Sequence, residues 1–138
     1  MHHYFIAVET FEHIIECFCP DGAHEDSLEI KKEDIIEVTN DRQYMFDNGW
    51  YIKVVLNNDW HFHMALEDLE RYFTQGMIIS LVDIELKINH LNYVIDQSLG
   101  KGDEAAFLQS TKSLKESKQL KLNLESYLSH VSENLFMS

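Results

Sequence analysis

The chain has 138 residues, enough for one core or two small units, and its 45% apolar and 25% charged residues exclude a disordered tail as the general description. Its net charge of −13 is unevenly placed: residues 1–76 carry 16 acidic against 5 basic side chains, and residues 77–138 carry 8 against 6. Favourable contact with phosphate backbones comes from Lys and Arg releasing counterions, so direct nucleic-acid binding is not expected, whereas a basic protein partner is.

The first half reads as β-rich. "YFIAV" (4–8), "DIIEV" (34–38), "GWYIKVVL" (49–56) and "WHFHM" (60–64) are rich in β-branched and aromatic residues and predict a small sheet of four strands. The last two are joined by "NND" (57–59), whose asparagines tolerate the left-handed conformation, so Trp50–Leu56 and Trp60–Met64 are expected to form a hairpin. In "ETFEHIIECF" (9–18), Phe11, Ile14, Ile15 and Phe18 share one helical face, which favours a helix there over a strand. "CPDGAHEDS" (19–27) holds the only proline and reads as a loop, and "ALEDLERYF" (65–73) returns to helical spacing through Leu66, Leu69 and Tyr72 or Phe73.

After a hinge at "TQG" (74–76), Leu81, Ile84, Ile88, Leu91, Ile95 and Leu99 recur at steps of three and four, predicting a helix from about Ile78 to Leu99. Gly100 suits the left-handed residue that ends it, Gly102 loosens the turn, and Asp103 can cap a second helix from about Glu104 to about Ser132. Along that helix Phe107, Thr111, Leu114, Leu124, Leu128, Val131 and Leu135 are the candidates to pack back on the first. An antiparallel hairpin results, with the second helix longer by roughly seven to nine residues and apolar surface to spare. Lys112, Lys115, Lys118 and Lys121 recur at a step of three and read as a solvated face. The expected fold is therefore α+β: an acidic β-rich domain over 1–76, with a small antiparallel sheet and short helices, then a helical hairpin over 77–138.

The elbow segment "VIDQSLGKGDEAAF" (94–107), with Ile95-Asp96, Leu99, Asp103 and Phe107 followed by an amphipathic helix, resembles the IDEAL domain, a short helical module of small proteins in Bacillus and related bacteria. The resemblance covers about 40 residues and implies a small regulatory or adaptor protein, with no catalytic residues to carry over.

Chemistry-bearing clusters are few. His61 and His63 alternate about Phe62 and share one polar strand face with Asp59, while Trp60, Phe62 and Met64 take the buried side; a metal would need further ligands from elsewhere. His13, Cys17, Cys19 and His24 contain zinc-binding residue types, but their spacing matches no zinc-finger pattern. Gly100 and Gly102 are not followed by Lys-Ser/Thr, so no phosphate-binding loop is present, and Glu67 beside Asp68, or Asp96 with Asp103, reads as solvated faces and caps. No catalytic residue, metal or cofactor is expected.

The functional expectation is a non-enzymatic regulator that binds a basic protein. Its candidate surface is made of Trp50, Trp60 and Tyr72 ringed by Asp47, Asp59 and Asp68, and the hairpin either docks on the acidic half or forms a homodimer. An acidic inhibitor of phage type, or an immunity protein, blocking the nucleic-acid groove of a nuclease or defence enzyme is the sharper alternative, and a small metal-dependent enzyme is the other. Two cysteines separated by one residue, no basic-apolar leader and no apolar run of about 18 residues point to a soluble cytoplasmic protein without a membrane segment.

Overall fold

The computed structural model describes residues 3–17, 24–45 and 48–137, with the side chains of 16, 17, 24, 25 and 132–137 left out of the description. The chain divides into two compact units, Met1–Ile79 and Ser80–Ser138. The architecture is α+β, as the sequence predicts.

The first unit is built on a five-stranded antiparallel sheet. Its strands are β1 (His3–Ala7), β4 (Ile35–Met45), β5 (Gly49–Leu56), β6 (Trp60–Ala65) and β7 (Ile78–Ser80), in the spatial order β6-β5-β4-β1-β7. Strands β2 (Phe11–Cys17) and β3 (His24–Ile30) form a separate antiparallel pair, and helix α1 (Leu66–Thr74) follows β6. One sheet face carries Ala7, Ile36, Val38, Ile52, Val54, Leu56, Phe62, Met64 and Ile78, all buried in one cluster with Phe11 and Ile30 of the pair and Tyr72 of α1. Full burial of a side chain such as Val54, at 0% exposure, stabilises by roughly 1.5–3 kcal/mol.

The expected hairpin is present: Leu56 pairs with Trp60 and Ile52 with Met64. Asn57 and Asn58 take φ of 52° and 61°, the left-handed pair that matches strand twist. The Asn57 side chain does more than tolerate that angle. Its Oδ1 accepts from the Ile35 N–H at 2.8 Å and its Nδ2 donates to Asp34 at 3.1 Å, while its own N–H donates to the Ile35 carbonyl at 2.8 Å.

Strand β4 is longer than the predicted 34–38 and is interrupted by a register shift between Val38 and Arg42. Thr39 mends the break: its hydroxyl donates to the Lys53 carbonyl at 2.9 Å and accepts from the Asp41 N–H at 3.2 Å. Past this bulge the ladder resumes at Arg42 opposite Ile52 and ends at Met45 opposite Gly49.

Three expectations are corrected. Residues 11–17, read as a helix, form strand β2, in which Phe11 and His13 are buried and Ile14 is 55% exposed, so the true period is two. Residues 24–27, read as loop, belong to β3, and the rest of that segment, 19–23, lies outside the described residues. Ile78–Ser80, read as the start of a helix, is the edge strand β7, entered through a Val8 N–H bond to the Met77 carbonyl at 2.9 Å.

The second unit is the antiparallel pair α2 (Leu81–Lys101) and α3 (Glu104–Met137). Ser80 caps α2, accepting from the Asp83 N–H at 3.3 Å and donating to its carboxylate at 3.0 Å. Helix α2 runs through Gly100. The left-handed residue is Gly102, at φ 69°, and the Gly102 and Asp103 N–H groups close on the Leu99 and Ser98 carbonyls. Asp103 then accepts from the Ala106 N–H at 3.1 Å, as a cap should.

Helix α3 has 34 residues against 21 in α2, a larger difference than the sequence indicates. Its buried positions Ser110, Ser117 and Leu124 fall seven apart, as do Ile84, half-buried Leu91 and buried Ser98 of α2, the repeat of a coiled-coil seam. Leu81, Ile88, Ile95, Phe107, Leu114 and Leu128 are half-buried, and Leu120, absent from the predicted set, is buried. Leu99 is 63% exposed and Thr111 is exposed, so neither belongs to the packed stripe. Lys121 reaches Glu85 across the hairpin at 3.8 Å.

Among the described residues no helix is long and apolar enough to cross a membrane.

His13 and Tyr72 are joined inside the first unit, Nδ1 to hydroxyl, at 2.7 Å. Tyr72→Phe removes that bond and is expected to cost about 1–2 kcal/mol, read as a fall in Tm. Burial, with the Asp68 carboxylate second, raises the Tyr72 pKa, against the lowering effect of Arg71. Unfolded chains therefore lose this proton near 10.0 while folded ones hold it to higher pH. The contribution is full below pH 10.0 and fades as pH rises through the folded value, so in denaturant titrations the alkaline decline should be steeper in wild type than in Tyr72→Phe.

Candidate functional site

The predicted binding residues do not form one patch. Trp50 enters β5 beside the β4–β5 turn and is 53% exposed; Trp60 begins β6 at the opposite end of the β5–β6 hairpin and is 56% exposed. With β5 eight residues long, the two ends lie roughly 20 Å apart at about 3.3 Å per residue. Asp59 is exposed in the turn with Trp60. Asp68 is engaged with Arg71 at 3.1 Å. Tyr72, expected at the surface, is 4% exposed and packs on Phe11 with ring centroids 4.7 Å apart, because the inner face of α1 must close the core. Asp47 lies outside the described residues.

Around Trp50 the structure gathers other side chains. Tyr44, its cross-strand partner on β4, meets the indole edge-to-face at 5.3 Å and is itself 60% exposed. Both stand beyond the Thr39 bulge, past the stretch of β4 that lies in the core. Asn48, Gly49 and Trp50 form one wall of a cleft of about 300 Å³; Ala65, Leu66, Glu67 and Glu70 form the other. Gly49 has φ 93°, a conformation that L side chains rarely adopt. Glu67 and Glu70 are exposed, one turn apart on α1, and neither has an ion-pair partner among the described residues. Glu67 lies on the solvated helix face that the sequence predicts, while no local pattern in the sequence marks Tyr44 or Glu70. The strand pairing that puts Tyr44 opposite Trp50 was hidden because β4 was cut short at Val38.

The histidine clusters resolve differently. Phe62 and Met64 are buried as expected, but Trp60 is not, and His63 keeps its Nε2 buried without a hydrogen-bond partner among the described residues. His13 is 2% exposed, with its Nδ1 bonded to Tyr72. Cys17 pairs with His24 in the β2–β3 register, their side chains and Cys19 lying outside the described residues. Among the described residues no group of three His, Cys, Asp or Glu is placed to hold a metal ion.

At the hairpin elbow a smaller cleft, about 210 Å³, is lined by Ser98, Leu99, Gly102, Asp103, Glu104 and Phe107. In comparisons with protein-family models, curated proteins and solved structures, nothing matches the chain.

The two tryptophans and Tyr72 should separate experimentally. Trp50→Phe and Trp60→Phe, at exposed positions, are expected to change stability by no more than about 0.5 kcal/mol, and wild-type emission should be open to acrylamide quenching. A loss above about 2 kcal/mol in Trp50→Phe would show the indole to be a core element.

Proposed function

We propose that the chain is a non-enzymatic regulator or adaptor that acts by docking a basic protein on its acidic first unit. The observation that carries this reading is the exposed Tyr44–Trp50 pair, in edge-to-face contact across two strands and bordered by uncompensated carboxylates on a unit of net charge −11. Aromatic anchors supply contact area at low entropic cost, and the surrounding charge accelerates encounter with a basic surface. The likeness of the elbow to the IDEAL module accords with an adaptor role.

Affinity capture with the full chain is expected to retain a basic protein, to lose it in the Trp50→Ala variant, and to release it as salt rises toward about 0.5 M, where the Debye length falls to a few ångströms. Capture that is indifferent to both Trp50 and salt would refute the proposal. Displacement of the captured protein by duplex DNA would identify the acidic unit as a mimic that occupies a nucleic-acid groove.

For the helical hairpin we propose a second copy of the chain as partner. Val82, Leu86 and Tyr93 are 65%, 61% and 61% exposed and, at steps of four and seven, line the side of α2 opposite Ile84, Leu91 and Ser98. With a net charge of only −2 over residues 77–138, this unit meets little self-repulsion. Sedimentation equilibrium should give a dimer that Leu86→Glu converts to a monomer; a wild-type monomer at about 100 μM, which leaves association at least about 7 kcal/mol short of nanomolar, would exclude a stable pair.

A further inference from the structure

We infer that the cleft between Trp50 on β5 and Glu67 and Glu70 on α1 receives one guanidinium group, the side chain of an arginine on the docked partner. The inference rests on the reading of the acidic unit as a docking surface and says which side chain that surface selects. Three features of the cleft favour a cation. An indole that remains more than half exposed offers the best aromatic face for one. Glu67 and Glu70 stand three positions apart, about one turn, and both line the cleft. Arg71, the only cation on α1, is already engaged with Asp68 and lies over the Tyr72 ring at 5.2 Å, so it leaves the charge of the two glutamates uncompensated.

One opposing effect is present. The cleft lies at the amino-terminal end of α1, where the helix dipole is equivalent to about +0.5 charge and disfavours a cation. Two full carboxylate charges outweigh it, and Ala65, at the cap position, adds no side-chain acceptor there. The choice of arginine over lysine follows from shape and hydration. A planar guanidinium can stack on the indole while its fork bonds a carboxylate, whereas an ammonium in so open a cleft keeps its water. One cation–π contact and two solvent-screened ion pairs hold a free guanidinium at only about millimolar strength, so the occupant must be delivered by a larger surface.

The probes are acetyl-arginine amide and acetyl-lysine amide, titrated into the full chain while the indole N–H of Trp50 and the backbone amides of Glu67 and Glu70 are followed by NMR. Trp60→Phe assigns the indole signal. Arginine amide is expected to shift these signals saturably at low millimolar concentration, and lysine amide to bind at least threefold more weakly. The Glu67→Gln/Glu70→Gln double variant should weaken arginine about tenfold, and Trp50→Leu should weaken it severalfold, both with unchanged Tm. The inference is overturned by a flat titration to tens of millimolar, by equal binding of the two amides, or by undiminished binding in the double variant. A flat titration beside continued Trp50-dependent capture of a basic protein removes the arginine cleft and leaves the docking surface; saturable arginine binding with no captured protein does the reverse.

Discussion

Asn57 holds the register on which the first unit depends. Its left-handed backbone turns β5 into β6, and its amide at once satisfies the N–H of Ile35 and meets the carboxylate of Asp34, so three strands are aligned at a single residue. Side chains alternate along a strand, and a slip of one position would exchange Ile52, Val54 and Leu56 for Tyr51, Lys53 and Val55 on the face closed by α1 and the β2–β3 pair. A lysine would then enter the core. The turn asparagine therefore determines more than a local bend: it decides which half of β5 meets α1, and so where Trp50 emerges.

The emergence of Trp50 requires the second irregularity, at Thr39. Between Val38 and Arg42 the ladder loses register, and the threonine hydroxyl takes over the bond to Lys53 that a regular strand would make with its backbone. A bulge bends and twists the strand that carries it. Here it separates a core-facing segment, with Ile36 and Val38 buried, from a distal segment in which residues 40–44 are exposed. Tyr44 and Trp50 sit on that distal segment and on its partner strand. They brace each other in place of core contacts, which keeps a large apolar surface ordered without hiding it.

What could be read from the sequence follows the same physics. The β5–β6 hairpin was legible because two asparagines state their own conformation, and α1 and the capped elbow were legible through apolar spacing and Asp103. Strand β2 was not, because its alternation is Phe11, His13, Ile15, and a histidine in the middle breaks the apolar pattern. His13 is tolerated inside only because Tyr72, 59 positions later, offers its hydroxyl, a contact that no local window contains. The hairpin seam was obscured in the same way. Its inward residues near the elbow are Ser98 and Ser110, and further along Ser117, small polar positions that apolar counting passes over in favour of the exposed Leu99. Ser98 is accommodated by turning its hydroxyl back to the Val94 carbonyl at 2.8 Å. The binding surface failed for a different reason. Strand alternation put Trp60 on the buried side with Phe62 and Met64, yet at 56% it is exposed, and joining it and Trp50 to Tyr72 required knowing which end of the hairpin each occupies.

The two units present apolar groups in opposite electrostatic settings, and this divides the work each can do. On the first unit an exposed indole stands within a field of many carboxylates. Such a field acts over about a Debye length, roughly 8 Å at physiological salt, which raises the rate of meeting a basic surface and repels another copy of the same unit. On the second unit Val82, Leu86 and Tyr93 stand on a helix pair of net charge −2, where electrostatic self-repulsion is small. Removing apolar area from water stabilises an interface regardless of partner, so charge must supply the discrimination. An acidic aromatic surface disfavours its own kind and favours a basic one; a neutral apolar helix face carries no such electrostatic discrimination.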